Sequence, residues 1–344
     1  MLITHAMRIL LGQQLGPFKF VKDIGFLPDL DVPTLGLYMH IPFCLDLCPF
    51  CPYYKVKSST HLVQPFLEAL LSEIALIGEK AASNGSKRRV TSLYFGGGSP
   101  ALMKSDLQKI RKKIDDFFYV EDRAGIELHP RDVTCDLPTI LKDSGFDMVS
   151  IGIQTFQEHL LSNIGRDFVD YRSVFTALRR ERFDAIDVDL IFGIPGQTDA
   201  DLRVDFLKAV ELGATQISTY PFIDFSYANN HKKPLGRSEQ KKMLSMLLKT
   251  ADDAGFARTS VWTFGRTNAP RYSSITRENF LGFGPRRHII GPRRLQGQHI
   301  FSGSLYRVCK QVYCSNFSEN EVFTENTKAL LAFLELLRRQ VAKR

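Results

Sequence analysis

The stretch Ala185-Ile-Asp-Val-Asp-Leu-Ile-Phe-Gly-Ile-Pro-Gly-Gln-Thr-Asp-Ala-Asp201 takes the chain from a strand into a helix. Ala185 to Phe192 reads as a strand and Gly193 to Gln197 as the turn after it. Thr198 and Asp201 have the spacing of a capping box, which opens a helix. Other units surround this one, and short β-like runs alternate with helical patterns through the middle of the chain, the signature of a parallel sheet wrapped by helices.

Six strand-and-crossover units are legible. Leu35 to Ile41 is the first strand, and a cysteine-bearing loop separates it from a helical pattern over Leu62 to Ile77. Thr91 to Phe95 follows, with a helix from the cap Ser105 to about Phe118. Gly125 to Leu128 leads to a helix from Leu137 that ends near Gly145, and Met148 to Ile153 leads to helices around Gln157 and Tyr171. The unit at Ala185 is the fifth, and Gln216 to Tyr220 is the sixth strand. Beyond about Ile223 the rhythm changes, and a helical pattern over Ser238 to Gly255 begins a smaller second domain. An amphipathic helix carrying Leu330, Leu331, Phe333, Leu334 and Leu337 is expected to dock near the C-terminus on the protein's own core.

Composition sets outer bounds. A chain of 344 residues with 44% hydrophobic and 24% charged residues is an ordinary globular protein, which excludes a small disulfide scaffold and a disordered chain. The formal charge of +8 favours anionic partners without choosing among them. No basic and aromatic stacking pattern accompanies it, so nucleic acid is not expected as a partner. No signal sequence and no membrane span are expected, which points to the cytoplasm.

Three of the six cysteines, Cys44, Cys48 and Cys51, fall in the spacing C-x3-C-x2-C. Three thiolates on a short loop hold three irons of a [4Fe-4S] cluster and leave the fourth open to a small molecule, whereas electron-transfer clusters normally use four cysteines. S-adenosylmethionine fills such a position through its amino and carboxylate groups, and one electron from the cluster then releases a 5'-deoxyadenosyl radical. The competing reading is a zinc site completed by His40 or His61, though the paired C-x2-C knuckles of such sites are missing. Cys135, Cys309 and Cys314 do not repeat the spacing and read as ordinary cysteines.

Tyr94-Phe-Gly-Gly-Gly-Ser-Pro100 follows the second strand, where glycines allow close backbone approach and expose N–H groups to a carboxylate. Chemistry in a parallel barrel sits at the C-terminal ends of the strands. Cys44, Gly97, Glu127, Gln154 and Asp189 fall at the ends of successive strands, and Arg166 follows in the next loop. These groups match the polar ends of S-adenosylmethionine, with Glu127 for its ammonium, Arg166 for its carboxylate, and Asp189 with Gln154 for the ribose.

With these residues the chain resembles radical S-adenosylmethionine proteins of the oxygen-independent coproporphyrinogen III oxidase type, the HemN-like group, which also contains a heme chaperone and class C radical methyltransferases. The motifs that carry the resemblance are Tyr38-Met-His-Ile-Pro-Phe-Cys44, the three-cysteine loop, Tyr94 to Pro100, Glu127-Leu-His-Pro130, Ser150-Ile-Gly-Ile-Gln-Thr-Phe156, Gly165-Arg166 and Asp189 to Gln197. It implies an α/β fold, a partial (β/α)6 TIM-type barrel as radical SAM core over residues 35–225, after an N-terminal segment 1–34 and before a smaller C-terminal α+β accessory domain over 226–344. It also implies Cys44, Cys48 and Cys51 as cluster ligands, and Tyr38, Phe50, Gly97, Gly98, Ser99, Glu127, Gln154, Arg166, Asp189 and Ile223 around one or two molecules of S-adenosylmethionine. The implied partners are a small-molecule substrate, a tetrapyrrole in the leading case, and an electron donor such as flavodoxin or ferredoxin.

Departures from the group bear on substrate. The oxidase carries a further cysteine two positions past the third ligand, where this chain has Tyr53. The chaperone's H-N-x-x-Y-W type heme motif is replaced by Pro270-Arg-Tyr-Ser-Ser-Ile-Thr-Arg-Glu-Asn-Phe-Leu-Gly-Phe-Gly284. Arg286, Arg287, Arg293 and Arg294 are candidates to clamp substrate propionates, although a solvated loop is the favoured account of them. The leading expectation is oxidative decarboxylation of coproporphyrinogen III propionates, with methyl transfer and heme carriage as alternatives.

Overall fold

The computed structural model describes residues 35–82, 86–121, 124–223, 232–270, 280–285, 288–291 and 294–297. Six parallel strands lie side by side in chain order: β1 (Gly36–Ile41), β2 (Ser92–Gly97), β3 (Ala124–Leu128), β4 (Met148–Gln154), β5 (Ala185–Phe192) and β6 (Gln216–Pro221). Their crossovers contain α1 (Thr60–Ala81), α2 (Leu107–Phe117), α3 (Leu137–Asp143), α4 (Glu158–Asn163), α5 (Tyr171–Arg180) and α6 (Asp199–Leu212). The chain therefore has the α/β TIM-type architecture expected of it.

Side-chain alternation makes the sheet two-faced. Leu37, Met39 and Ile41 of β1 and Ile186, Val188, Leu190 and Phe192 of β5 join the main core with Phe66, Leu70 and Phe206 from the helices. The intervening residues, among them Tyr38, Asp187 and Asp189, face the barrel interior. Thr198 and Asp201 form the expected reciprocal cap of α6, with Asp201 N–H donating to Thr198 Oγ1 at 3.2 Å and Thr198 N–H to Asp201 Oδ2 at 2.8 Å. α2 starts at Leu107 behind Asp106 instead of Ser105, because Pro100–Met103 forms a 3-10 turn that uses the preceding residues.

One expectation is corrected by α1. It is long and apolar enough by length and composition to cross a membrane, where no such stretch was expected. Its apolar side is spent on the core instead, through Leu62, Phe66, Leu67, Leu70 and Ile74, and it carries a buried Glu73.

The sheet continues past residue 226 at both edges. After α7 (Arg237–Asp253), β7 (Phe256–Arg258) and β8 (Thr263–Arg266) form an antiparallel pair beside β6. β9 (Phe280–Phe283) returns to lie parallel against β1, followed by β10 (His288–Gly291) and β11 (Arg294–Gly297). Residues assigned to an accessory domain thus pair with the first and last strands of the barrel. The C-terminal helix, Cys309, Cys314, Arg286, Arg287 and Arg293 lie outside the described residues.

Candidate functional site

The cysteine loop is closed at its base by a short parallel ladder between Phe43–Cys44 and Val56–Lys57. Val56 N–H donates to Pro42 O and Ser58 N–H to Cys44 O, both at 2.8 Å. Inside the loop, Cys51 N–H reaches Cys48 O at 3.3 Å and the Lys55 ammonium donates to Cys51 O at 2.7 Å. Phe50 anchors it to an apolar cluster of Leu160, Ile164, Ile191, Ile194 and Phe222. Asp46 pairs with Arg131, which lies beyond β3 and also sits 3.5 Å from Asp167. Loops after β1, β3, β4, β5 and β6 therefore share one mouth.

Cys44, Cys48 and Cys51 are free thiols of intermediate exposure. Burial, followed by repulsion from Cys51 and Cys48, pushes the Cys44 thiol up to about 12, and burial raises Cys51 while the Lys55 charge opposes the rise. Such thiols ionise when a cation replaces the proton, as metal coordination does. Among the described residues, no three His, Cys, Asp or Glu side chains converge as a single metal ion requires. A cubane takes one cysteine per iron, so its three thiolates need not converge on one atom. His40 is occupied elsewhere: its Nε2 lies 2.9 Å from Tyr54 O and so carries the proton, leaving Nδ1 to accept from the Tyr38 hydroxyl at 3.3 Å.

The glycine loop works differently from the expectation. Gly97 N–H donates to Glu127 Oε2 at 3.2 Å, while Gly98 N–H and Ser99 N–H donate to Ile41 O and Phe43 O at 2.7 Å each. These amides are consumed within the protein and are not presented to a ligand carboxylate. Their role is to bind the second loop to the backbone that enters Cys44. Gly97 adopts φ +113°, and a Cβ there would meet the His40 ring at 2.7 Å. Ser99 is buried at 2% exposure, and its hydroxyl lies near Asp132 without forming a full hydrogen bond.

Glu127 and Asp189 keep some accessible surface because they face the barrel interior, yet protein surrounds them, and burial raises both carboxyls. The Tyr94 hydroxyl donates to Glu127 Oε1 at 2.7 Å and offsets part of that rise. For Asp189, repulsion from Asp187 and Glu127 adds to burial, while the Ser150 hydroxyl, 2.9 Å away, and Arg166 work against it. Below them Tyr38 stacks on Tyr94 with ring centroids 6.0 Å apart, and Met148 and Ala185 complete the floor.

At the end of β4 the pairing with β5 slips, because Gly152 faces Asp189 but Gln154 faces Leu190. One extra residue is thereby accommodated, and Gln154 takes φ +72°, a left-handed conformation unusual for a residue with a side chain. Its amide folds back over Gly152, where a Cβ would lie 2.9 Å from Nε2. The Arg166 guanidinium donates to Gly152 O at 2.6 Å and its charge acts on Asp189. Arg166 and Arg131 also assist burial in lowering His129 to about 3, so this imidazole is neutral at physiological pH.

The structure thus gathers Gly97, Gly98, Ser99, Glu127, Gln154, Arg166 and Asp189 at the mouth beside the three cysteines, with Tyr38 deeper inside. Phe50 packs into the apolar cluster, and Ile223, two residues past β6, is 44% exposed. Sequence reasoning gave no role to Asp187, Ser150, Ser218, His129 or Asp132. Asp187 was accessible to it, since residues two apart on a strand share a face with Asp189. The Ser218 hydroxyl donates to Asp187 at 2.8 Å. Cys135 is exposed and free.

Residues 38–208 match the model of the radical SAM superfamily. The heme chaperone HemW of Bacillus subtilis is 28% identical over 268 residues, 73% of this chain and 69% of the relative. The oxygen-independent coproporphyrinogen III oxidase of Escherichia coli is 31% identical over 218 residues, covering 61% of this chain but only 46% of the oxidase. The solved structure of the Escherichia coli coproporphyrinogen III oxidase HemN superposes with a TM-score of 0.68 at 21% identity, over 82% of this chain and 76% of that one.

Proposed function

Because this chain is a radical SAM protein resembling the oxygen-independent coproporphyrinogen III oxidase group, we propose that Cys44, Cys48 and Cys51 hold its [4Fe-4S] cluster and that the carboxylates above the barrel floor hold S-adenosylmethionine. The observation that carries this is the convergence of the cysteine loop with Glu127, Asp189, Gln154 and Arg166 at one mouth, close enough that the Glu127 charge acts on the Cys51 thiol. When bound, the reduced cluster supplies one electron to the sulfonium, which releases methionine and a 5'-deoxyadenosyl radical.

The protein's own groups bind and orient. Glu127, already accepting from Tyr94 and Gly97, offers its remaining lone pairs to the ammonium of S-adenosylmethionine. Arg166 would bind its carboxylate, and Asp189 with Gln154 would hold the ribose hydroxyls. The apolar cluster around Phe50 would limit water at this mouth.

The substrate of this reading is coproporphyrinogen III. The bound group would supply the hydrogen-abstracting radical, and the reaction expected of this substrate is removal of a hydrogen atom from a propionate arm. Loss of carbon dioxide and transfer of one electron to an external one-electron acceptor then leave a vinyl group. Flavodoxin or ferredoxin fits as the electron donor to the cluster, and the cytoplasm as the compartment. A second reading, heme carriage, draws support from HemW relatives that align with up to 74% of this chain.

The test is an anaerobic incubation of the reconstituted, reduced protein with S-adenosylmethionine and coproporphyrinogen III, following 5'-deoxyadenosine and substrate mass together. Deoxyadenosine with loss of carbon dioxide supports the oxidase reading, and a methyl gain replaces it with methyl transfer. Deoxyadenosine with unchanged porphyrinogen directs the search to another substrate. Stable stoichiometric heme binding, with no deoxyadenosine formed by an intact cluster, establishes the carrier reading.

A further inference from the structure

Three consecutive residues after Gln154 bond to one carboxylate on a different element. The Thr155 hydroxyl donates to Asp205 Oδ2 at 2.6 Å, while Phe156 N–H and the Gln157 side-chain amide donate to Oδ1 at 2.9 Å each. Thr155 and Asp205 are both fully buried, and Gln157 N–H donates back to Thr155 Oγ1 at 3.1 Å. Asp205 lies in the second turn of α6, whose start is fixed by its own cap at Thr198. This network begins at the residue next to the left-handed Gln154. An L-residue at φ +72° is strained and persists only where its surroundings hold it. The groups on the other side, Gly152 and Arg166, engage the amide and the strand but not residues 155–157.

We infer that Asp205 is a positioning residue that clamps residues 155–157 and thereby holds Gln154 in its left-handed conformation, with its amide turned toward the ribose side of the S-adenosylmethionine pocket. The inference rests on the binding site proposed above. A fully buried acid is a costly anchor for a loop that neutral side chains are able to cap. Its value here is that a single carboxylate accepts from a hydroxyl, a backbone amide and a side-chain amide together, so the three residues cannot relax separately. Asp205 acts through Gln154 and does not itself touch ligand.

The test is a double-mutant cycle on S-adenosylhomocysteine affinity in the cluster-loaded full chain, with hydrogen exchange at the Phe156 amide as a second measurement. Asp205→Asn is close to isosteric but turns an N–H group toward the Thr155 hydroxyl, which can no longer donate there. It is expected to weaken binding about tenfold, to have little further effect in a Gln154→Ala background, and to speed Phe156 exchange. Thr155→Val, which removes one arm of the clamp without touching the acid, is expected to couple to Gln154 in the same way and serves if Asp205→Asn does not fold. Additive losses, or unchanged affinity in the single variants, overturn the positioning role and leave Asp205 an ordinary loop cap. If the wild-type chain binds no S-adenosylhomocysteine, the ligand assignment falls instead. The exchange measurement then decides the clamp alone, and unaltered Phe156 protection in Asp205→Asn refutes it.

Discussion

Replacing Gly98 with alanine tests whether the glycine loop acts as a brace for the cysteine loop. Gly98 has an ordinary φ, so an alanine is not strained by its backbone conformation. The new Cβ instead falls against backbone, in overlap with the Phe43 carbonyl oxygen and 2.8 Å from the carbonyl carbons of both Phe43 and Pro42. Those atoms have little freedom, because Phe43 O accepts from Ser99 N–H at 2.7 Å and Ile41 O accepts from Gly98 N–H at 2.7 Å. Relief of the overlap stretches or breaks both bonds. At about 1 kcal/mol per bond, with a further 1–3 kcal/mol for an overpacked site, the expected destabilisation is about 3–5 kcal/mol. Gly255→Ala is the control, since Gly255 has φ +74° and no atom within 4 Å of a new Cβ, so only the backbone penalty of about 1 kcal/mol applies. Urea unfolding of the cluster-free chains, followed by far-ultraviolet circular dichroism, measures both. Iron per chain after reconstitution is expected to fall in Gly98→Ala alone, because the displaced carbonyl belongs to the residue before Cys44. A Gly98→Ala chain no less stable than Gly255→Ala would refute the brace.

Further outcomes follow from other parts of the site. Cys48→Ala is expected to lose the brown cluster chromophore and all reductive cleavage of S-adenosylmethionine, and retained cleavage would overturn the ligand assignment. Arg166→Ala is expected to keep cluster iron but to weaken S-adenosylmethionine binding about tenfold or more, read by calorimetry; unchanged affinity excludes the carboxylate contact. Burial raises Asp205 to about 6, so between about pH 4 and 6 the folded chain holds a proton that the unfolded chain has released. Its contribution to stability therefore falls as pH rises through that window, by up to about 2–3 kcal/mol. Asp205→Asn is expected to flatten the slope of unfolding free energy against pH there, and a slope unchanged by the substitution contradicts the shift.

Features encoded by neighbouring residues were legible in the sequence. The Thr198–Asp201 cap closes across three positions, and β5 runs between the same residues that its composition marks. The three-cysteine spacing is similarly local. Features that depend on a distant partner were not legible. β9 is a four-residue strand whose only distinction is its place beside β1, and nothing within Phe280–Phe283 announces that pairing. The bulge at Gln154 depends on how β4 meets β5, and the glycine-loop amides looked free because their acceptors, Glu127, Ile41 and Phe43, lie on other elements. Asp205 carries no local signal, since its three donors belong to a separate crossover.

The return of β9 to β1 has a temporal consequence. Gly284 N–H donates to Glu73 at 2.8 Å across 211 residues, and Met39 lies in register with Phe283. As the chain leaves the ribosome, β1 emerges early, and its outer edge waits unpaired until nearly the whole barrel has been made. An open, apolar strand edge is a template for pairing with other chains. The nascent protein therefore passes through a long interval of vulnerability, and a fragment ending at residue 225 would remain in it permanently. Completion of the barrel is a late event, and its last stitch lies next to the strand that leads into the cysteines.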